Sequence, residues 1–573
     1  MKLEKYLISG LFLLFLYLHF YGINWGIPDK QVSSIVFKNK KEMEKLIPVM
    51  LTTHQEIREM QVYYGAPYKD DYQLKQDITV DLNGKKPISR EIINSCRSYL
   101  TRSAGADEQA VLVSLSKMSP SRLNFNPHFY EYGGAYLYPI GIFLYISSKF
   151  HIFTVTSDMS FYFLNPCEIG EMYIAGRAFG AAGAFISIII FLLICRELFE
   201  NKNLSYLLTL FYGASAGFVV WSHYLKPFSY GMLWFLLTLY GLVKFYKSEK
   251  EKWIYIASIF SGLSFGTLLT YGYVYWAVVI FVAFYNKPIK WKIKTLYLTF
   301  LIFLGTFFIT NPYILISYKE FIQELHYLKT YWHKDVSLNA LYVFLFNTKR
   351  YGLGTMLWIT LIVGLTGNLF YKPDRLSFIF FIIIIPAFFY FAFTTAEWIH
   401  YSIFLYPLFI ISTGLFLARI RPKKIIIFYL VIIALYTVLY TSSYIKLFGM
   451  ENTRREAGVW INENISSDEK IGLFEAPSPW RTPPFRFLDY DILILSDKTE
   501  IEKEKPEYFI VSEYQWLRGS GMEKIKDILS NYKIFKRFER EPSIFGIKFR
   551  HQENIPYDWC HPNPVILVWK RKR

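Results

Sequence analysis

Long apolar blocks, separated by short polar or basic stretches, constrain this chain more than any other feature. A bilayer core about 30 Å thick needs roughly 17 to 25 apolar residues to be crossed as a helix. Of the 573 residues, 53% are hydrophobic and 19% are charged, and the apolar residues fall in blocks of that length. The sequence therefore predicts a polytopic α-helical membrane protein.

The apolar blocks predict about eleven transmembrane helices. Lysine and arginine in short loops stay cytoplasmic, and the N-terminus and most alternate loops are basic. We therefore expect an integral protein of the plasma or inner membrane, with its N-terminus in the cytoplasm and its C-terminus outside. The predicted spans lie near residues 8–25, 172–195, 204–222, 229–246, 253–268, 270–286, 295–315, 350–371, 376–394, 402–418 and 425–447.

A further apolar stretch at 133–150 is predicted to lie along the membrane surface. A crossing there would place the basic loop at 196–202 outside and invert every later loop. The stretch is also short, contains Pro139 and carries several tyrosines, which is typical of an interfacial helix.

Two large segments are expected outside the cytoplasm. The first is the outer loop at 26–171, which belongs to a transmembrane domain at 1–447. The second is the tail at 448–573, where Thr453-Arg-Arg-Glu456 is typical of a capping box before a helix that ends near Asn464. Strand-like runs in the tail predict a small α/β domain, and they lie at 470–474, 491–495, 508–511 and 565–569.

The chain carries a formal net charge of +17. This excess favours attraction to anionic membrane lipids, since no aromatic and basic pattern points to a nucleic acid partner. Four cysteines are too few for a disulfide framework. Cys96 and Cys167 share the first outer loop, and whether they pair depends on the redox state of the compartment.

An adjacent pair of acids, Asp107 and Glu108, is the main candidate for catalysis. Sugar transfer from a lipid-phosphate donor needs a carboxylate base at a membrane surface, and the pair lies in the first outer loop. An alternative is that the acids cap a helix predicted at 109–118, where negative charge stabilises the first turn. The two interpretations are compatible, because a cap also fixes the position of a carboxylate.

Cationic or hydrogen-bonding groups must stabilise the charge that develops on a leaving phosphate. Candidates are Lys226 and His223 at the outer end of a span, His400 at the start of another, and Arg177 inside a third. Arg177 could instead extend to the interface or pair with a neighbour. The histidines could equally make interfacial hydrogen bonds, and the pair Gly176 and Gly180 favours close helix packing.

Further candidates follow the acid pair in the first outer loop. His128 and Glu131 are possible substrate-binding residues, although the segment from Asn126 to His128 also suits a turn into the interfacial helix. Residues 319–335 mix aromatic and basic side chains and predict an amphipathic surface helix.

Several of these features together resemble the GT-C superfamily of membrane glycosyltransferases. They are the first span, the Asp-Glu pair in a long outer loop, Asn-Pro-His-Phe-Tyr-x-Tyr at 126–132, Gly-Arg-Ala-Phe at 176–179, Arg-Glu-Leu-Phe at 196–199 and Ser-His-Tyr-Leu-Lys-Pro at 222–227. The resemblance is to the protein O-mannosyltransferase and lipid A aminoarabinose transferase branch. It covers roughly residues 1–420, with the tail matched only loosely.

The resemblance implies an inverting hexosyl or mannosyl transferase that uses a polyprenyl- or dolichyl-phosphate sugar outside the cytoplasm. Asp107 would activate the acceptor hydroxyl or hold a metal ion, with Glu108 beside it. The oligosaccharyltransferases carry an acid in the second outer loop, where this chain has Lys226. No cofactor is therefore assigned, and a divalent cation stays open. The acceptor could be a protein, a lipid or a glycan.

A transporter or flippase of a lipid-linked saccharide is the alternative from another class. Such a protein would place polar groups near the middle of the membrane and often repeats its halves. The sequence shows no internal repeat, and its acid pair lies in an outer loop. These features favour the enzyme. The stretch at 30–100 resembles an insertion that could contribute to acceptor binding.

Overall fold

The structure, a computed structural model, describes residues 2–64, 79–80, 88–331, 335–394, 398–420, 424–518, 521–549, 555–556, 559 and 562–572. Much of the inserted stretch at 30–100 is included. Residues 65–78 and 81–87 of it lie outside the described residues.

Helices dominate the fold. The first half contains α1 (Lys2–Phe20), α2 (Lys30–Val36), α3 (Lys40–Tyr64), α4 (Arg90–Thr101), α5 (Gln109–Lys117), α6 (Gly134–Lys149), α7 (Met159–Leu164), α8 (Pro166–Leu198), α9 (Lys202–Gly213), α10 (Ala216–Trp221), α11 (Pro227–Ser248), α12 (Lys252–Thr267) and α13 (Val274–Ala283).

The second half of the chain continues with further helices. They are α14 (Ile289–Thr310), α15 (Tyr313–Ile316), α16 (Tyr318–Tyr331), α17 (Leu338–Asn347), α18 (Thr355–Phe370), α19 (Arg375–Thr394), α20 (Ile399–Ser402), α21 (Tyr406–Ile420), α22 (Lys424–Gly449), α23 (Thr453–Asn464), α24 (Lys498–Glu504), α25 (Glu513–Arg518) and α26 (Met522–Ile528).

Every predicted span falls on helical structure, and the chain is an integral membrane protein. Within the described ranges, 6 helical stretches are long and apolar enough to cross a bilayer, or 7 when the bent pair of α17 and α18 is taken as one span. The total of eleven crossings and the orientation of the termini stay predictions. The stretch predicted to lie along the membrane surface is α6.

The chain divides into two compact units. The first comprises Met1–Tyr21, Ser114–Phe143 and Gly176–Ile445, and the second comprises Gly22–Val113, Leu144–Ala175 and Lys446–Arg573. In the first unit, α12 packs between α11 and α14, while α21 packs on α9, α18 and α19. These helices are apolar along most of their length because their neighbours are either other helices or lipid.

The second unit contains strands as well as helices. Its strands are β1 (Thr79–Val80), β2 (Ile88–Ser89), β3 (Lys470–Leu473), β4 (Asp491–Ile494), β5 (Tyr508–Ser512), β6 (Tyr532–Phe538), β7 (Ser543–Ile544), β8 (Ile547–Lys548) and β9 (Ile566–Arg571). A five-stranded sheet has the order β4-β3-β5-β9-β6. Strand β3 is parallel to β4 and β5, and β9 is antiparallel to β5 and β6.

Alternate residues of β5 supply the two faces of this sheet. Tyr508 and Ile510 pack into one buried cluster with residues of α4 and α23, and Phe509 and Val511 pack into another with residues of α24 and α26. Both faces of the sheet are therefore covered. This explains why all residues of β5 are buried, although their side chains point alternately to the two faces.

Two details of the tail differ from the sequence-based expectation. The cap of α23 is Asn452, whose side chain accepts a hydrogen bond from the Arg454 N–H, so the capping box at Thr453 is wrong. The Thr453 hydroxyl instead donates to the Pro564 carbonyl oxygen at 2.7 Å. Strand β6 was not predicted, because its exposed lysines interrupt the apolar pattern. Cys96 and Cys167 are both free thiols.

Candidate functional site

The predicted acid pair lies in a tight loop between α4 and α5, within the second unit. The Glu108 side chain is 0% exposed, and its Oε2 accepts a hydrogen bond from Ser103 Oγ at 2.5 Å. The Gly105 N–H donates to the same Ser103 Oγ at 3.2 Å. Glu108 is therefore held inside the loop, where its carboxylate organises the backbone.

Asp107 has a different setting from its neighbour. It is half-exposed and adopts a left-handed backbone conformation with φ of 64°. Its backbone carbonyl accepts a hydrogen bond from the Ala110 N–H at 3.1 Å, and α5 begins at Gln109, as the sequence predicted. Aspartate tolerates this conformation better than most residues. Strained backbone of this kind is concentrated at functional sites.

Lys226, in the first unit, occupies the N-terminal cap of α11, directly before Pro227. The side chain is nearly buried, at 6% exposed, and its Nζ lies 5.2 Å from the centre of the Trp221 ring. The N-terminus of a helix carries a partial positive charge and unpaired backbone N–H groups. The lysine ammonium and the helix end thus place positive charge at one position.

His400 lies beside the same tryptophan. It is 5% exposed, and its ring centre is 4.5 Å from that of Trp221 and 4.1 Å from that of Phe228. Phe228 is the second residue of α11. The structure therefore brings together two of the predicted phosphate-side residues, Lys226 and His400, around the Trp221 ring.

His223 is engaged by the backbone. Its Nδ1 lies 2.8 Å from the Val219 carbonyl oxygen and its Nε2 lies 2.9 Å from the Tyr21 carbonyl oxygen. Burial is the main cause that lowers the pKa of His223 to about 4; the positive charge of Arg177 contributes to this shift, and the two backbone hydrogen bonds oppose it. This geometry agrees with the interfacial hydrogen bonding that the sequence left open, and it fixes the end of α10 to the residue after α1.

Arg177 is completely buried in α8, next to the small residues predicted to mediate packing. A Cβ added to Gly176 would lie 2.5 Å from Leu225 Cδ1, and one added to Gly180 would lie 3.6 Å from the Tyr224 carbonyl oxygen. The two glycines therefore let α8 approach the chain immediately before Lys226.

His128 belongs to a polar cluster formed with α16. Its Nδ1 lies 2.9 Å from Glu320 Oε2, and its backbone N–H donates to Asn126 Oδ1 at 3.1 Å. The Tyr130 hydroxyl donates to the same Glu320 oxygen at 3.0 Å or to Asn126 at 3.1 Å. The predicted turn at 126–128 is thus fastened to a helix almost two hundred residues later in the chain.

The backbone at Glu131 makes a second attachment to α16. The N–H groups of Tyr130 and Glu131 donate to the carboxyl group of Glu324 at 2.8 to 2.9 Å. Glu324 is 2% exposed, and burial raises its pKa to about 8, with the nearby charge of Glu131 adding to the shift and Lys117 opposing it. At neutral pH this group is therefore mainly protonated.

Sequence analysis did not single out Glu320 or Glu324. The available signal was their spacing of four residues on a predicted amphipathic helix, which places both acids on one face.

Aromatic rings connect the segment around His128 with the residues around Lys226 in the first unit. The Tyr132 ring centre lies 6.4 Å from that of Phe228, which in turn contacts His400.

Metal binding receives no support from the residues that the structure describes. Among them, no group of three or more His, Cys, Asp or Glu side chains is placed to hold a metal ion. The divalent cation left open by the sequence is therefore not assigned to any residue.

Part of the chain is similar to a known protein family. Residues 169–313 match the family model of dolichyl-phosphate-mannose-protein mannosyltransferases. The matched segment includes Arg177, His223 and Lys226. No curated protein matches the chain in sequence. The match confirms the resemblance of this sequence to the GT-C membrane glycosyltransferases.

Two solved structures are similar to this chain. One is the archaeal oligosaccharyltransferase AglB from Archaeoglobus fulgidus in complex with an inhibitory peptide and a dolichol-phosphate, with 11% identity, a TM-score of 0.41, and 75% of this chain and 67% of that chain covered. The other is ArnT from Cupriavidus metallidurans bound to undecaprenyl phosphate, with 10% identity, a TM-score of 0.43, and 82% of this chain and 95% of that chain covered.

Proposed function

We propose that this protein is an inverting glycosyltransferase that moves a sugar from a polyprenyl-phosphate donor to an acceptor hydroxyl outside the cytoplasm. The observation that carries the proposal is the position of Lys226, a nearly buried cation at the N-terminal end of α11, inside the segment that matches the mannosyltransferase family model.

The chemistry of a lipid phosphate suits that position. A helix N-terminus and an ammonium group both stabilise the negative charge of a phosphate, and the stabilisation is larger where water is excluded. His400 and Lys226 both lie beside the Trp221 ring, and the His400 side chain can donate a further hydrogen bond to the phosphate. We assign the donor phosphate to Lys226 and His400. Arg177 supports the same segment through α8, and His223 positions it through the backbone.

Asp107 is assigned the role of the base. Its carboxylate is half-exposed, while that of Glu108 is buried against Ser103, so only Asp107 is accessible to an acceptor. The left-handed backbone at Asp107 is held by the same loop that encloses Glu108. Glu108 is therefore a positioning residue for Asp107. His128 and Glu131 are proposed to order the segment next to Phe228 through α16.

The reaction is a single displacement. The acceptor oxygen forms a bond to the anomeric carbon while the bond from that carbon to the phosphate oxygen breaks. The acceptor proton passes to the Asp107 carboxylate, and the bonding electrons leave with the polyprenyl phosphate. Attack on the side away from the phosphate inverts the anomeric configuration. A phosphate leaves without strong acid assistance, so one carboxylate suffices.

The proposal is tested by sugar transfer in reconstituted vesicles. The full chain is supplied with a panel of radiolabelled polyprenyl-phosphate sugars and with membrane extract as the source of acceptors. We expect transfer from one donor by the native chain and from none by Asp107→Asn. Asp468→Asn, which changes an exposed aspartate of the tail, serves as the matched control.

The role of Asp107 as the base and the function of the protein as a transferase can be contradicted by different results. Full transfer by Asp107→Asn would remove that residue from the mechanism. Movement of intact lipid-linked sugar across the bilayer, without transfer from any donor, would replace the enzyme with a flippase.

A further inference from the structure

We propose that a cavity in the second unit binds the sugar portion of the acceptor; this inference rests on the proposed function. The cavity is open to solvent and has a volume of about 340 Å³. It lies between residues 24–31, at the outer end of the first predicted span, and residues 447–455, at the outer end of the last. Both stretches are outside the cytoplasm in the predicted topology, where the acceptor must be. Neither the acid pair nor the phosphate-side residues line it.

The size of the cavity favours a small polar ligand. At about 30 Å³ per molecule it could hold roughly ten waters, and ligand pockets in proteins begin near this volume. That is the size of a monosaccharide or a disaccharide and is too small for a polyprenyl chain. Trp25 and Phe448, whose ring centres are 5.5 Å apart, supply an apolar wall.

The polar lining is arranged for hydroxyl groups. Asp29 is paired with Arg455, and the Arg455 guanidinium also donates to Gln31 Oε1 at 2.8 Å. Paired carboxylate and guanidinium groups retain donors and acceptors at fixed angles. Asn24 and Glu451 line the same cavity, are exposed, and make no side-chain hydrogen bond or ion pair with the described part of the chain.

The charge of the lining argues against a phosphate ligand. The lining contains two carboxylates, Asp29 and Glu451, and one guanidinium, Arg455. A site with an excess of carboxylate disfavours an anion, whereas it accepts hydrogen bonds from sugar hydroxyls without a charge penalty. The class of ligand that fits is therefore a neutral or cationic saccharide. A lining that combines an apolar wall with donors and acceptors matches the apolar face and polar rim of a sugar ring.

The cavity is connected to the acid loop within the same unit. A narrower cavity shares Asn452 and Arg455 with it and extends to Arg102 and Ala104. The Ala104 N–H donates to the Gly26 carbonyl oxygen at 2.6 Å, which joins the cavity wall to the loop. Ala104 is followed three residues later by Asp107, the proposed base. A saccharide in the cavity would thus contact the segment around Gly26, which is hydrogen-bonded to the loop that carries Asp107.

The test measures binding without turnover. Saturation-transfer NMR is recorded on the full chain in detergent micelles with the methyl glycosides of mannose, glucose, galactose and N-acetylglucosamine. We expect at least one glycoside to bind, and the double variant Asn24→Ala with Glu451→Ala to bind it about tenfold more weakly, since each lost hydrogen bond contributes a severalfold factor. Both residues are exposed, so we expect the variant to fold like the native chain. Glu463→Ala, at another exposed position of the tail, is the control.

The outcomes separate this inference from the proposed function. Binding of no glycoside by the native chain, or equal binding by the double variant, overturns the cavity assignment even if sugar transfer is intact. Selective loss of binding supports the cavity assignment even if the native chain transfers no sugar, in which case only the enzymatic proposal fails. In an active chain, the double variant should raise the KM for acceptor and leave the KM for donor unchanged.

Discussion

Gly105 lies directly beneath the carboxyl group of Glu108, so closely that a Cβ at Gly105 would be 2.2 Å from Glu108 Oε2. Only glycine allows the acidic side chain to fold back over its own loop and accept the Ser103 hydrogen bond. The conformation of Asp107 between them depends on this contact. A residue without catalytic chemistry therefore sets the position of the proposed base.

Gly105→Ala should destabilise the loop and reduce sugar transfer. The added methyl group overlaps a buried carboxylate, and overpacking of this kind costs about 1 to 3 kcal/mol. Thermal unfolding in detergent and the transfer rate would both report it. Gly305→Ala is the control, because a Cβ at Gly305 meets nothing within 4 Å. Additive effects of Gly105→Ala and Glu108→Ala would contradict the clash as the cause, since interacting residues give non-additive changes.

Asp107→Asn should abolish transfer while leaving stability nearly unchanged. Asparagine has the same shape and tolerates the left-handed backbone, so the substitution removes only the basic carboxylate. We expect a loss of about a hundredfold or more in kcat, as for other general bases, with a change in unfolding free energy within about 0.5 kcal/mol. A large fall in the unfolding temperature would instead show that Asp107 is structural.

Lys226→Met should weaken the use of the donor. Methionine has a similar length and can pack on Trp221, so the change removes charge with little loss of packing. Loss of a charged hydrogen bond to phosphate is expected to lower kcat/KM for the donor by about tenfold to a hundredfold. Lys226→Arg should recover part of it. Lys250→Met, at an exposed lysine, is the matched control. An unchanged KM and kcat for donor would exclude Lys226 from the phosphate site.

Glu324 should make the stability of the first unit depend on pH. Its folded pKa, about 8, lies above the ordinary value of 4.5, so the folded state keeps a proton that the unfolded state has lost. Stability contributed at this site is complete below about pH 4.5 and falls as the pH rises to about 8, by an amount on the order of a few kcal/mol.

Glu324→Gln removes this dependence. A neutral amide oxygen still accepts a hydrogen bond from the Tyr130 or Glu131 N–H. As the pH rises from 5 to 8, the unfolding temperature of the native chain should therefore fall relative to that of the variant. Unfolding followed by tryptophan fluorescence at several pH values measures it, with Glu463→Gln as the control. Parallel pH profiles for the native chain and Glu324→Gln would contradict a raised pKa at this site.

The sequence located the candidate phosphate-side residues but could not group them. Lys226 and His400 were chosen because each lies at the outer end of an apolar block. Their common contact with Trp221 joins two residues that are 174 positions apart in the chain. The sequence identified Asp107 and Glu108 as candidates without distinguishing them. In the structure, the loop around Ser103 buries Glu108 and leaves Asp107 half-exposed. Side-chain burial in a loop has no periodic signal in the sequence.

By itself, the sequence determined where the helices lie and that the chain resides in a membrane. A backbone in hydrocarbon must satisfy its hydrogen bonds within each segment, so the length of an apolar block almost fixes its structure. Tertiary structure alone decided the attachment of Glu320 and Glu324 to the segment at 126–131, the cavity between residues 24–31 and 447–455, and the pairing of β6 with β9. These contacts join parts of the chain that are far apart, and their polar or irregular residues become complementary only after the helices and strands have packed.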